Sequence, residues 1–141
     1  MGFVIQLAAV NDSARFDKLR PLTMSTSWPR AHVCLVQPAG ELDTTTAPVL
    51  GEYLREQTAA APSHLLLDLT AVRFLAAAGV TLIIDALRDD RGIHGRLHLL
   101  GVAENPPVER VLDLTGVLAV IPPHRDLEDA LRRIDDLDQD G

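Results

Sequence analysis

Few residues in this sequence are spaced to make or break bonds. The five histidines, His32, His64, His94, His98 and His124, are scattered without the spacing of a metal-ligand set. His94 and His98 lie four apart, but Gly95 interrupts any helix between them, and the pair reads as a solvent-facing loop and strand. Cys34 sits in the apolar run His32, Val33, Cys34, Leu35, Val36, Gln37, where a buried thiol stays protonated and inert. As the single cysteine it also excludes an internal disulfide framework and a cysteine-built zinc cluster. There is no GxGxxG, no glycine-rich loop ending in Gly-Lys-Ser/Thr and no GxSxG, so dinucleotide, P-loop and serine-hydrolase chemistry are unsupported. No acid, base and nucleophile converge, and the expectation is a protein that is not an enzyme and holds no cofactor or metal.

Two segments carry more information. In Gly40, Glu41, Leu42, Asp43 and Thr44, the glycine permits a sharp turn and Asp43 arrives shortly before a helix, near its amide donors. Taken alone, Asp43 reads as an N-cap or an Asx turn. In the second, an apolar strand ends at Asp68, Leu69 and Thr70. A short loop follows, and a helix opens on Ala76, Ala77, Ala78 and Gly79. Small residues at a helix start allow another chain, or an anion, to approach the free amides closely; read plainly, they fit the helix to a sheet.

The elements that must position these segments follow from periodicity. Residues 22–27 and 32–37 are β-rich, with a turn at Trp28, Pro29 and Arg30, and form a hairpin. Leu50, Tyr53, Leu54 and Gln57 are three or four apart, which makes 46–59 an amphipathic helix with Pro48 in its first turn. Residues 64–69 are continuously apolar up to Asp68, as in a strand buried on both faces. Val80, Ile83, Ile84 and Leu87 mark a second helix, and 96–100 a further strand. Asn105 caps a third helix striped by Val108, Val111 and Leu112 and closed by Gly116. Residues 119–121 read as a short strand, and Asp126 caps a last helix with Leu127, Ala130, Leu131 and Ile134 on one face. Strands alternating with helices over short links predict an α/β sandwich, with a mixed, mostly parallel sheet of about five strands and about four helices.

With 141 residues, 47% of them apolar, the chain has room for one domain with a real core built from Leu, Val, Ile and Ala, since aromatics are only 4%. The net charge of −7 argues against sequence-independent binding to nucleic acid. That charge is local. Residues 126–141 hold seven acids against two arginines, so five of the seven net negative charges lie there. No run reaches the roughly 20 apolar residues of a membrane span, and the opening apolar stretch lacks a basic flank, so the expectation is a cytoplasmic protein without a membrane partner. Residues 1–21 read as an N-terminal extension, in which 3–10 suit a short strand and Met24 is a second candidate start. Residues 22–134 form the domain and 135–141 an acidic C-terminal tail.

The order of elements, with Gly40-Glu41-Leu42-Asp43 and Leu65-Leu66-Leu67-Asp68-Leu69-Thr70 followed by Phe74 and Gly79, resembles the STAS domain. This is the fold of bacterial anti-sigma factor antagonists, found also as a tail on sulfate transporters. The resemblance spans about residues 22–134 and, without hydrophobic spans, implies a stand-alone regulator of transcription that binds a kinase-type anti-sigma factor and thereby releases a sigma factor. It implies docking through Asp43, Thr44, Ala76, Ala77, Ala78 and Gly79. In the family this segment typically reads Phe-x-Asp-Ser-Ser/Thr-Gly-Leu, and the serine after the aspartate is phosphorylated. Here Phe74, Gly79 and Val80 match, Ala76 replaces the aspartate, Ala77 holds the degenerate phosphorylation position and Ala78 the next hydroxyl position. Alanine has no oxygen to accept a phosphoryl group, so the family's off-switch cannot act at Ala77. Thr44, Thr45, Thr46, Thr70 and Thr81 supply hydroxyls nearby, but none at the acceptor position. A small-molecule or nucleotide-binding sensor is the alternative reading, and self-association into a homodimer is left open.

Overall fold

The computed structural model describes residues 5–8, 22–88 and 97–140, with the backbone alone at 5–8, 86–88 and 140. Among these residues six strands form one sheet: β1 (Ile5–Ala8), β2 (Thr23–Arg30), β3 (Val33–Leu42), β4 (His64–Asp68), β5 (Val72–Leu75) and β6 (Leu97–Leu100). Among the described residues five helices accompany it: α1 (Ala47–Thr58), α2 (Ala77–Arg88), α3 (Pro106–Leu114), the single turn α4 (Val117–Val120) and α5 (Leu127–Asp140). None is long and apolar enough to cross a membrane.

The sheet order is β1-β2-β3-β4-β6. The β1–β2 and β2–β3 pairings are antiparallel, while β3–β4, β3–β5 and β4–β6 are parallel. The expected mixed, mostly parallel α/β sandwich is therefore what forms. Strand β3 pairs with β4 over Val33 to Val36 and then with β5 from Gly40 to Leu42. Pro38 lies where β3 changes partner, so its missing N–H interrupts no parallel ladder.

Period-2 alternation assigns the two faces. Cys34, Val36, Leu65, Leu67, Leu97 and Leu99 join the main core beneath α1, α2 and α3. Val33, Leu35, Leu66 and Leu100 point the other way and are buried by Ala130 and Ile134 of α5. Both faces are covered, which is why residues 64–67 read as an unbroken apolar run.

Five local expectations change, the first at Gly40, expected at a sharp turn but lying inside β3 with φ +128 at the register shift against β5. The hairpin turn falls at Ala31 and His32, because Pro29 is absorbed into a β2 irregularity between Ser27 and Arg30. Residues 72–75, expected as loop, form β5. Residues 119–121 are not a strand: Val117 and Ile121 are buried four apart while Ala119 and Val120 face water, the spacing of one helical turn. Gly116, at φ +83, reverses the chain into that turn, and the sheet gains only the bridge between Leu99 and Pro123. The last helix runs through Asp140, so residues 135–140, expected as an acidic tail, continue it.

Candidate docking site

The loop between β3 and α1 is organised by one carboxylate. Asp43 Oδ1 accepts hydrogen bonds from the Thr45 amide (2.9 Å) and the Thr46 amide (3.0 Å). The Thr46 hydroxyl accepts from the Asp43 amide (2.9 Å) and gives its proton to the Glu41 carbonyl (2.6 Å), with Asp43 Oδ1 at 3.1 Å. Partial burial pushes the Asp43 carboxyl up, but the amides of Thr46 and Thr45 and the Thr46 hydroxyl outweigh it and hold the group below its ordinary range. The stabilisation is present at neutral pH and lost as pH falls through that lowered value, because the folded loop binds the proton less readily than the unfolded chain. Asp43→Ala is expected to cost about 1–2 kcal/mol in urea unfolding, and Asp43→Asn, whose carbonyl still accepts, less than half as much.

The second segment is held against the first. Leu42 pairs with Leu75 and Glu41 with Phe74, and the Ala76 amide donates to the Leu42 carbonyl at 2.8 Å. The amides of Gly79 and Val80 return to the Ala76 carbonyl at 2.9 and 3.3 Å and begin α2. Gly79 is buried, and a Cβ there would stand 2.5 Å from Leu75 Cδ1 and 3.4 Å from Leu42 Cβ, so the absence of a side chain lets α2 seat on the end of β3. Asp43, Thr44, Ala76, Ala77, Ala78 and Gly79 thus share one edge of the molecule. Thr44 and Ala77 are exposed, Asp43, Ala76 and Ala78 half-buried. Beside them Phe74 leaves half its surface in water, an apolar ring at the rim that its sequence position alone did not distinguish from core.

The sequence matches the STAS domain over residues 29–130. This chain belongs to the STAS domain family. Its structure superposes on an anti-sigma factor antagonist from Mycobacterium paratuberculosis with a TM-score of 0.68 and 28% identity, covering 79% of this chain and 92% of that one. The unphosphorylated form of the anti-sigma factor antagonist SpoIIAA aligns with a TM-score of 0.63 and 20% identity over 77% of this chain and 93% of that one, a likeness of fold. Among curated proteins none matches the sequence.

Two further features of this STAS domain bear on the site. Asp68 Oδ1 accepts from the Thr70 amide (3.0 Å) and hydroxyl (2.6 Å), and its Oδ2 accepts from Gln37 Nε2 (3.1 Å), which ties the strand end that leads into β5. Asn105 precedes α3 as expected, yet its side chain makes no cap. Its Nδ2 donates to the carbonyls of Leu69 (2.8 Å) and Val72 (2.7 Å), pinning the turn that delivers Phe74. The capping preference of asparagine hides this role in the sequence. Cys34 is fully buried, and burial pushes its thiol up to about 12, so it carries no thiolate chemistry at neutral pH. His94 lies outside the described residues. The other four histidines, scattered in sequence, gather on the α5 side of the sheet, and His98 is buried rather than facing solvent. Among the described residues no group of three or more His, Cys, Asp or Glu is arranged to hold a metal ion.

Proposed function

We propose that this STAS domain is a stand-alone anti-sigma factor antagonist that binds a kinase-type anti-sigma factor through Asp43, Thr44, Ala76, Ala77, Ala78 and Gly79, with no phosphorylation switch at Ala77. The observation behind this reading is the contiguity of the 40–46 loop and the α2 start, locked by the Leu42–Ala76 hydrogen bond, in a chain that aligns with 92% of a Mycobacterium antagonist. The site offers shape, a half-exposed aromatic ring and the Asp43 carboxylate, which suits recognition by complementarity without bond chemistry. The absence of a hydroxyl at 76, 77 and 78 leaves the antagonist permanently in its binding-competent form.

The test is a panel of kinase-fold anti-sigma factors from the same organism, measured for stoichiometric complex formation by calorimetry and size exclusion. One partner should bind. Ala77→Glu should weaken that complex by roughly 100-fold or more, because an unpaired carboxylate is desolvated in the interface. The variant's melting temperature should not fall, since an acidic side chain is favourable in a first helical turn. With labelled ATP and a kinase-competent partner, the wild type should take no phosphate within residues 74–81, while A77S should. No complex across a full panel, together with a nucleotide that raises the melting temperature, would replace this reading with a ligand-binding sensor.

A further inference from the structure

The histidines that sequence spacing left unrelated form a continuous ladder under α5. His64 Nε2 meets Asp138 Oδ1 at 3.0 Å, and His64 Nδ1 meets His98 Nε2 at 3.0 Å. His98 Nδ1 meets His124 Nε2 at 2.9 Å, and His124 Nδ1 faces Asp129 Oδ2 at 3.9 Å. The ladder joins β4, β6 and the approach to α5 to two carboxylates of α5 itself. His64 is 1% exposed and His98 9%, so two of the three rings meet their partners away from bulk water.

Counting protons gives the ladder a fixed capacity. Each imidazole–imidazole contact holds one proton, N–H on one side and a lone pair on the other. The carboxylate of Asp138 requires the proton on His64 Nε2. That orients all three neutral rings as the Nε2–H form and leaves His124 Nδ1 as a bare acceptor facing Asp129. One added proton fits there, directed at the Asp129 carboxylate, and the charge can move along the ladder by shifting each bridging proton with every link still made. A second added proton fits none of these four contacts. It sets N–H against N–H at 2.9–3.0 Å in one of the links, between two positive rings.

We propose that the His64–His98–His124 ladder is a proton-counting latch for α5, which holds the helix with no added proton or one and releases it on the second. Release uncovers the second apolar cluster, Val33, Leu35, Leu66 and Leu100, from beneath Ala130 and Ile134. The released form charges all three rings and so carries two protons more than the latched form with one. Linkage then makes release steeper with acid, by up to about 100-fold in the opening equilibrium per pH unit below the ordinary histidine range near 6.5.

The charged groups around the ladder act in both directions. Burial holds His124 below the usual histidine value; Asp129 pulls it up and Arg133 pushes it down. Asp129 also receives the Arg125 amide (3.2 Å) and faces the Arg132 guanidinium (3.5 Å). Asp138 is held below the carboxylate range by hydrogen bonds from His64 and then His32, whose Nε2 lies 2.7 Å from Asp138 Oδ2. His32, on the hairpin turn, holds Asp138 Oδ2 through its Nε2, and Arg30 holds Asp135 at 3.3 Å beside it; both contacts tie α5 to the hairpin and oppose release. Both carboxyls are held below their ordinary range and stay ionised where histidines charge, so opening between pH 7 and 5 reports on the histidines.

The test follows the imidazole ¹⁵N shifts and the α5 amide exchange of the full chain from pH 7.5 to 5. The three rings should share a single one-proton step, followed by loss of α5 protection with a two-proton slope after correction for intrinsic exchange. Three independently charging rings with α5 still protected at pH 5 would overturn the latch, as would loss of protection before any ring charges. His98→Phe fills the space without either nitrogen and should reduce the slope to one proton or fewer; an unchanged slope counts against the proposal. Asp138→Asn keeps an acceptor for His64 but removes the charge, and should move opening up by about half a pH unit. An unmoved midpoint in that variant overturns the proposal even where His98→Phe does not fold.

Discussion

Gly101→Ala is expected to be among the most damaging single-methyl changes in this protein, at about 3–4 kcal/mol of unfolding free energy and roughly 10 °C in melting temperature. Gly101 follows β6 with φ +75, a left-handed conformation that costs an alanine about 1–2 kcal/mol by itself. The remainder comes from collision. A Cβ at this position would stand 2.1 Å from Thr70 Oγ1, 2.6 Å from Asp68 Oδ1 and 2.6 Å from the Thr70 amide nitrogen. A side chain can swing aside, but the backbone nitrogen cannot without opening the Asp68–Thr70 turn and its two hydrogen bonds. Urea unfolding measures the loss. Thr70→Ala in the G101A background should recover only part of it, because the amide contact remains. A G101A protein within about 0.5 kcal/mol of wild type contradicts the close approach of these two strand ends.

Asn105→Ala is expected to cost about 2–4 kcal/mol, since it strips a shared donor from two carbonyls that have little access to water. Asn105 is buried, and its Nδ2 is the group that spans Leu69 and Val72. Asn105→Asp should cost at least as much at neutral pH, because a carboxylate oxygen would face two carbonyl oxygens, and it should recover as acid protonates the group and restores a donor. The consequence reaches the docking edge. The pinned turn leads straight into β5, whose pairing with Glu41 and Leu42 presents Phe74. On the proposed function, N105A should weaken partner binding at temperatures where the fold survives. Near-wild-type stability in this variant would return Asn105 to the plain role of a helix cap.

Much of the framework was legible because it depends on local pattern. The apolar run at 64–67 reads as a doubly covered strand because two layers do cover it, one by α1 to α3 and one by α5. Asp43 reads as a turn-former because its oxygen needs only the amides two and three residues ahead. The small residues at 76–79 announce a close approach, and Gly79 against Leu42 is that approach. Misreadings fell where a partner outside the local window decides. Residues 72–75 become a strand only because β3 extends past the end of β4 and offers its edge. Residues 119–121 are apolar enough for a strand, but the main core receives Val117 and Ile121 together, and only a helical turn puts them on one side.

The sequence by itself determined the α/β order, the small residues that open α2 and the lack of a hydroxyl at 76, 77 and 78, and its motifs carried the resemblance to the STAS domain. Each is a statement about residue type and short-range spacing. Only the tertiary structure decided that His64, His98 and His124 are one hydrogen-bonded unit. Their relation depends on strand register, with His98 opposite Leu66 and thus diagonal to His64, and on α5 continuing far enough to bring Asp138 over both His32 and His64. Register slides without changing composition or local pattern. A one-residue slip of β6 would turn His98 into the opposite layer, and nothing in the spacing of five histidines along the chain records which register the two packed faces select.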